Sequence, residues 1–69
     1  MVEILVNGRP QSLATPMTVK EFLESLRLPT VDRGIAVCLN GEVMRKADWE
    51  RTPLKARDEL EIVHATQGG

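Results

Sequence analysis

Gly68 and Gly69 close the chain, and their type and position point most directly to chemistry. Glycine makes up about 7% of ordinary sequences, so a Gly-Gly pair falls at a given place roughly 0.5% of the time. The sharp reading is that the terminal carboxylate is itself the reactive group. The plain alternative is a frayed or processed end without a role. Other reactive types are sparse. Cys38 and His64 are the sole cysteine and histidine, and as a pair they suggest nucleophile and base. A lone cysteine within a strand is more often a small hydrophobe, however, and a histidine at a strand end is more often structural. One Cys and one His do not make a zinc site. The carboxylates are scattered and single out no acid–base pair. The five glycines follow no phosphate-binding pattern.

The bulk properties narrow the class further. The chain has 69 residues, enough for one domain, with 42% hydrophobic and 28% charged residues. A domain of this size buries only about 60% of its unfolded surface and depends on strong local signals. A net charge of -1 gives no general pull toward nucleic acid or anionic lipid. Stacking on bases is also disfavoured, since Phe22 and Trp49 are the only aromatic residues. No apolar run approaches the length of a membrane span. The opening Met-Val-Glu-Ile-Leu-Val lacks the basic region of a signal peptide. A single cysteine fits a reducing, cytoplasmic setting.

The elements that must position the tail can be read in order. Val2, Ile4 and Val6 share one face of a first strand. Asn7-Gly8 is a strong hairpin signal, because both types accept φ > 0. A second strand is expected over residues 11–14 with Leu13 inward, and Pro10 restricts it to a sheet edge or a strand start. Thr18 and Glu21 have capping-box spacing, and Met17 and Phe22 have the spacing of a hydrophobic staple. Val19, Phe22, Leu23 and Leu26 then make one apolar helix face, and Pro29 stops the helix. Ile35–Leu39 is the third strand, with Ile35, Val37 and Leu39 on one side. Asn40-Gly41 makes a second hairpin into a short strand over 42–45. Residues 46–54 read as irregular with a helical turn near Trp49, which packs at the core edge. Glu59–His64 is the last strand, with Leu60 and Ile62 inward. Residues 65–69 carry no apolar anchor and read as a flexible tail on a domain spanning 1–64.

One helix must cover one face of a mixed sheet of about five strands. The fold class is therefore α+β. The element order suits a β-grasp topology, with the first and last strands side by side and parallel. The other sheet face then carries Leu5, Cys38 and Val63 outward, an apolar row suited to docking a partner. Between Arg45 and Arg57 lie five basic residues, Arg45, Lys46, Arg51, Lys55 and Arg57, against Asp48 and Glu50. That stretch reads as a solvated loop.

Several stretches together resemble the ThiS family, the ubiquitin-like β-grasp sulfur carriers of thiamine biosynthesis. They are Ile4-Leu5-Val6-Asn7-Gly8, Thr18-Val19-Lys20-Glu21-Phe22-Leu23, Ile35-Ala36-Val37-Cys38-Leu39-Asn40-Gly41-Glu42-Val43, Lys46-Ala47-Asp48-Trp49 and the closing Gly68-Gly69. The likeness runs along nearly the whole chain. It departs before the last strand, where Ala56-Arg57-Asp58 stands in place of the Asp-Gly-Asp common in such carriers. It departs again at Met44-Arg45-Lys46, where a proline is common.

The resemblance implies a carrier and not an enzyme. A partner adenylyltransferase of the E1-like, ThiF type would bind ATP and Mg²⁺, since this chain binds no cofactor itself. Gln67 and Gly68 would thread its channel, and the Gly69 carboxylate would be adenylated. A sulfur donor such as a cysteine desulfurase would convert it to a thiocarboxylate, and a ThiG-type thiazole synthase would take the sulfur. Related carriers serve tRNA thiolation, molybdopterin synthesis or protein conjugation through the same activation. A plain interaction domain with an accidental Gly-Gly is the contrasting reading.

Overall fold

The computed structural model describes residues 2–26 and 34–64. In chain order they form β1 (Val2–Val6), β2 (Arg9–Leu13), α1 (Val19–Ser25), β3 (Ile35–Leu39), β4 (Glu42–Met44), a 3-10 helix (Lys46–Arg51) and β5 (Glu59–His64). The five strands make one sheet in the order β2-β1-β5-β3-β4. The first and last strands lie side by side in parallel, with Leu5 opposite Glu59 and Val6 opposite Leu60. All other neighbours are antiparallel. This is the α+β, β-grasp arrangement that the order of elements suggests.

Each hairpin is made by its Asn-Gly pair. Asn7 and Gly8 have φ of 52° and 83°, and Asn40 and Gly41 have 51° and 87°. Two consecutive positive φ values give the turn whose twist matches that of the strands it joins. A turn this tight lets pairing begin at once, Val6 against Arg9. β2 therefore runs over Arg9–Leu13, earlier than the 11–14 expected, and Pro10 lies within it. Pro10 is tolerated there because β2 is an edge strand. β4 ends at Met44, one residue short of expectation.

α1 begins on a complete capping box. Thr18 Oγ1 accepts the Glu21 N–H at 3.1 Å, and Glu21 Oε1 accepts the Thr18 N–H at 2.9 Å. Val19, Phe22 and Leu23 are buried and pack with Ile4, Val37 and Leu60 of the sheet. Burying a side chain such as Phe22 or Leu23 contributes about 2 kcal/mol. Leu26 departs from the expected apolar face, since it caps the helix and stays 37% exposed. Pro29, the expected helix stop, lies outside the described residues.

The stretch after β4 is expected to be irregular with a helical turn near Trp49; it opens with a 3-10 helix, Lys46–Arg51, and is well anchored. Trp49 and Leu54 are each only 4% exposed and belong to the core. The Val19 N–H donates to the Thr52 carbonyl at 2.9 Å, and the Leu54 N–H to the Met17 carbonyl at 2.8 Å. These bonds tie the start of α1 to the chain beyond the 3-10 helix. Arg57 then occupies the left-handed region at φ 72°. Its N–H donates to the Glu3 carbonyl at 2.8 Å, so the sheet holds the turn in that conformation.

Candidate functional site

The expected reactive end is the continuation of β5. Gln67, Gly68 and Gly69, and with them the whole 65–69 tail, lie outside the described residues. What the structure shows is the base from which they leave. β5 is the central strand, paired with β1 on one side and β3 on the other. The parallel pairing with β1 is short, because β1 turns away at Asn7. The Asn7 side chain continues the ladder from there: its Oδ1 accepts the Ile62 N–H at 2.8 Å, and its Nδ2 donates to the Ile62 carbonyl at 3.3 Å.

The second turn asparagine does similar work at the other end of the strand. Asn40 Oδ1 accepts the Glu59 N–H at 2.9 Å, and the Asn40 N–H donates to the Glu59 carbonyl at 2.8 Å. Asn40 Nδ2 also donates to Asp58 Oδ1 at 3.1 Å, while Asp58 Oδ2 accepts the Lys55 N–H at 2.7 Å. Both hairpin turns thus hold β5, one near its start and one near its exit. Sequence reasoning assigned these asparagines to turns only. Their carboxamide bonds reach residues 19 and 55 positions away, which local patterns do not reveal.

The outer sheet face carries Leu5, Cys38 and Val63, as the strand alternation suggests. The register arranges them differently from one continuous row. Leu5 lies opposite Glu59, and Cys38 lies opposite Glu61. Val63 pairs with Ala36, and Cys38 pairs on its far side with Val43. The apolar residues therefore form a strip running Val63, Ala36, Cys38, Val43, with Leu5 set apart behind two carboxylates. Val43 is 77% exposed and Val63 55%, so the strip stands open to solvent. Val43, Glu59 and Glu61 were not singled out from the sequence. The period-two pattern Glu59-Leu60-Glu61-Ile62 is the signal that places both carboxylates on this face.

The remaining candidates stay apart. Cys38 is half-buried and faces Glu61, three residues along β5 from His64, so the register does not unite a nucleophile with a base. No group of metal-binding side chains occurs among the described residues. Among the described residues no helix is long and apolar enough to cross a membrane. Arg45, Lys46, Arg51, Lys55 and Arg57 are all exposed, around a segment whose Trp49 and Leu54 point into the core.

Comparison with known proteins follows the same lines. A search of curated proteins finds no match. A crystal structure of the thiamine biosynthesis protein ThiS from Geobacter metallireducens superposes with a TM-score of 0.86 at 28% identity, over 99% of this chain and 100% of that one. A solution structure of a thiamine biosynthesis protein from the same organism gives a TM-score of 0.80 at 30% identity, over 99% of this chain and 88% of the other. The model of the ThiS family matches residues 4–69. That match takes in the strands, the helix and the two closing glycines, and with it the chain belongs to the ThiS family of β-grasp sulfur carriers.

Proposed function

We propose that this chain carries sulfur for thiazole formation in thiamine biosynthesis, as the acyl substrate of its partners and not as a catalyst. The observation that carries this reading is that the family match extends through Gly68 and Gly69. The names of the two similar solved structures point to the same pathway.

The chemistry follows from the weakness of a free carboxylate as an acyl donor. An E1-like adenylyltransferase of the ThiF type, with ATP and Mg²⁺, places the Gly69 carboxylate against the α-phosphate. A carboxylate oxygen forms the new P–O bond, and pyrophosphate leaves. A persulfide, for example on a cysteine desulfurase, attacks the acyl carbon and expels AMP, giving an acyl disulfide. A thiol then attacks the donor's sulfur of that disulfide and releases the thiocarboxylate. A ThiG-type thiazole synthase receives the sulfur. Gln67 and Gly68 pass through the channel, where the missing Cβ of Gly68 and Gly69 permits close approach.

The outer sheet face serves this role as a docking surface, with Cys38 and Val63 in its apolar strip and Leu5 apart from them beyond Glu59 and Glu61. Val63 is six residues from Gly69, and six residues extend at most about 20 Å. A partner that grips the strip must hold its nucleotide within that reach. Docking also offsets the entropy lost when the tail is ordered, about 1–2 kcal/mol per residue.

The test is mass spectrometry of the intact protein and its fragments after incubation with ATP, an adenylyltransferase and a persulfide donor. Sulfur replacing oxygen adds the same nominal mass as oxidation of Met or Cys38, so the change must be localised to the last residues. A thiocarboxylate on Gly69 is the expected result. An unmodified tail with each of several adenylating partners would overturn the proposal in favour of a plain interaction domain.

A further inference from the structure

Asn7 and Asn40 are the only asparagines of the chain, and each is followed by glycine. That pairing is chemically weak. The glycine amide nitrogen can attack the asparagine side-chain carbon, because no Cβ on the glycine screens it. The new N–Cγ bond forms, the Cγ–Nδ2 bond breaks, and ammonia leaves with the amide proton. A five-membered imide remains, and water opens it. Cleavage at Cγ gives aspartate. Cleavage at the main-chain carbonyl gives isoaspartate, which routes the backbone through the side chain. The sequence consumes water and needs no oxidant.

The fold treats the two sites differently. Both asparagines hold a positive φ, and both carboxamides are bonded to the neighbourhood of β5. Ring closure therefore requires the carboxamide to let go of its partners first. Asn7 is gripped by both backbone groups of Ile62, and these two bonds are partly buried. The bonds of Asn40, to the Glu59 N–H and to Asp58 Oδ1, are exposed to solvent. Solvent-exposed bonds open at a lower free-energy cost than buried ones. Water also has access at the Asn40 turn, since a Cβ at Gly41 would find no heavy atom within 4 Å.

We propose that Asn40 is a site of spontaneous covalent modification by loss of ammonia, and that Ile62 guards Asn7, which carries the same dipeptide. The product is poorly tolerated where it forms. Asn40 Nδ2 now donates to Asp58 Oδ1 at 3.1 Å, and a carboxylate at position 40 would replace that donor with a second anion. Asp58 is half-buried and also accepts the Lys55 N–H at 2.7 Å, so repulsion there disturbs the turn that opens β5. Isoaspartate would further lengthen the backbone of a two-residue turn. The length of that turn sets the register that brings Val43 opposite Cys38.

The test incubates the full chain, folded and in guanidinium, at mildly alkaline pH. Peptide mapping by mass spectrometry and an isoaspartate-specific methyltransferase then follow both sites. In guanidinium the two should react within about threefold of each other, because the unfolded chain guards neither. In the folded protein Asn40 should be converted at least roughly tenfold faster than Asn7. Equal or faster conversion of Asn7 in the folded protein would overturn the proposal. So would an intact Asn40 in the folded protein after a time that consumes it in guanidinium. Asn40→Asp supplies the aspartate product directly and should lower Tm by at least about 4 °C. The same change made in Asp58→Asn should cost less than about half as much, because the new amide can donate to the carboxylate at position 40. A Tm for Asn40→Asp within about 1 °C of wild type, or an undiminished loss in Asp58→Asn, would overturn the assigned repulsion.

Discussion

The Asn7 carboxamide holds both backbone groups of Ile62, accepting its N–H at 2.8 Å and donating to its carbonyl at 3.3 Å. A residue chosen for its turn conformation thereby extends a parallel strand pairing that the backbone of β1 has already abandoned. The strand it supports is the one that leads to the tail.

Asn7→Ala removes this clamp, leaves two backbone groups of Ile62 unpaired and places alanine at a positive φ. It should cost about 2–3 kcal/mol. Asn7→Gly keeps the turn conformation and should cost about half as much. Urea unfolding of both variants checks the ordering, and amide exchange at Ile62 should quicken in each. Wild-type stability in Asn7→Ala would show that the clamp is dispensable.

Arg57→Gly addresses the strained turn before β5. Arg57 holds φ at 72°, where a side chain is disfavoured, while its N–H still bonds to Glu3. Glycine there should stabilise the fold by about 1 kcal/mol, or roughly 4–8 °C in Tm for a domain this small. Thermal melts decide it. A lower Tm would mean that the arginine side chain contributes more than its backbone costs.

Deleting Gly69 should abolish activation by the adenylyltransferase and leave Tm within about 1 °C of wild type, since the change lies beyond β5. ATP–pyrophosphate exchange and a melting curve on the same sample separate the two effects. A substantial fall in Tm would show that the tail packs on the domain.

Val63→Asp places a charge on the open strip beside the tail. Binding to the adenylyltransferase should weaken at least tenfold, which is about 1.4 kcal/mol. Stability should change by less than about 1 kcal/mol, because Val63 is already 55% exposed. An unchanged Kd would remove the strip from the docking surface.

Much of this molecule is legible in short stretches of its sequence. Thr18 and Glu21 announce the capping box, Asn7-Gly8 and Asn40-Gly41 announce the hairpins, and alternation in Glu59–His64 assigns the faces of β5. These features are local, so residue type and spacing decide them. The end of α1 is less legible: Leu26 continues the apolar period, but it is the helix C-cap and stays 37% exposed. The candidate site divides the same way. Gly68 and Gly69 declare themselves by type, and the outward direction of Leu5, Cys38 and Val63 follows from strand parity. Which of those three touch depends on inter-strand register. A shift of register would regroup them without altering one residue of the pattern. Only the tertiary structure separates Leu5 from Cys38 with Glu59 and Glu61, joins Val43 to the strip and recruits both turn asparagines to β5. Those relations arise between positions distant in the chain, where packing and backbone pairing choose the neighbours and local propensity has no influence.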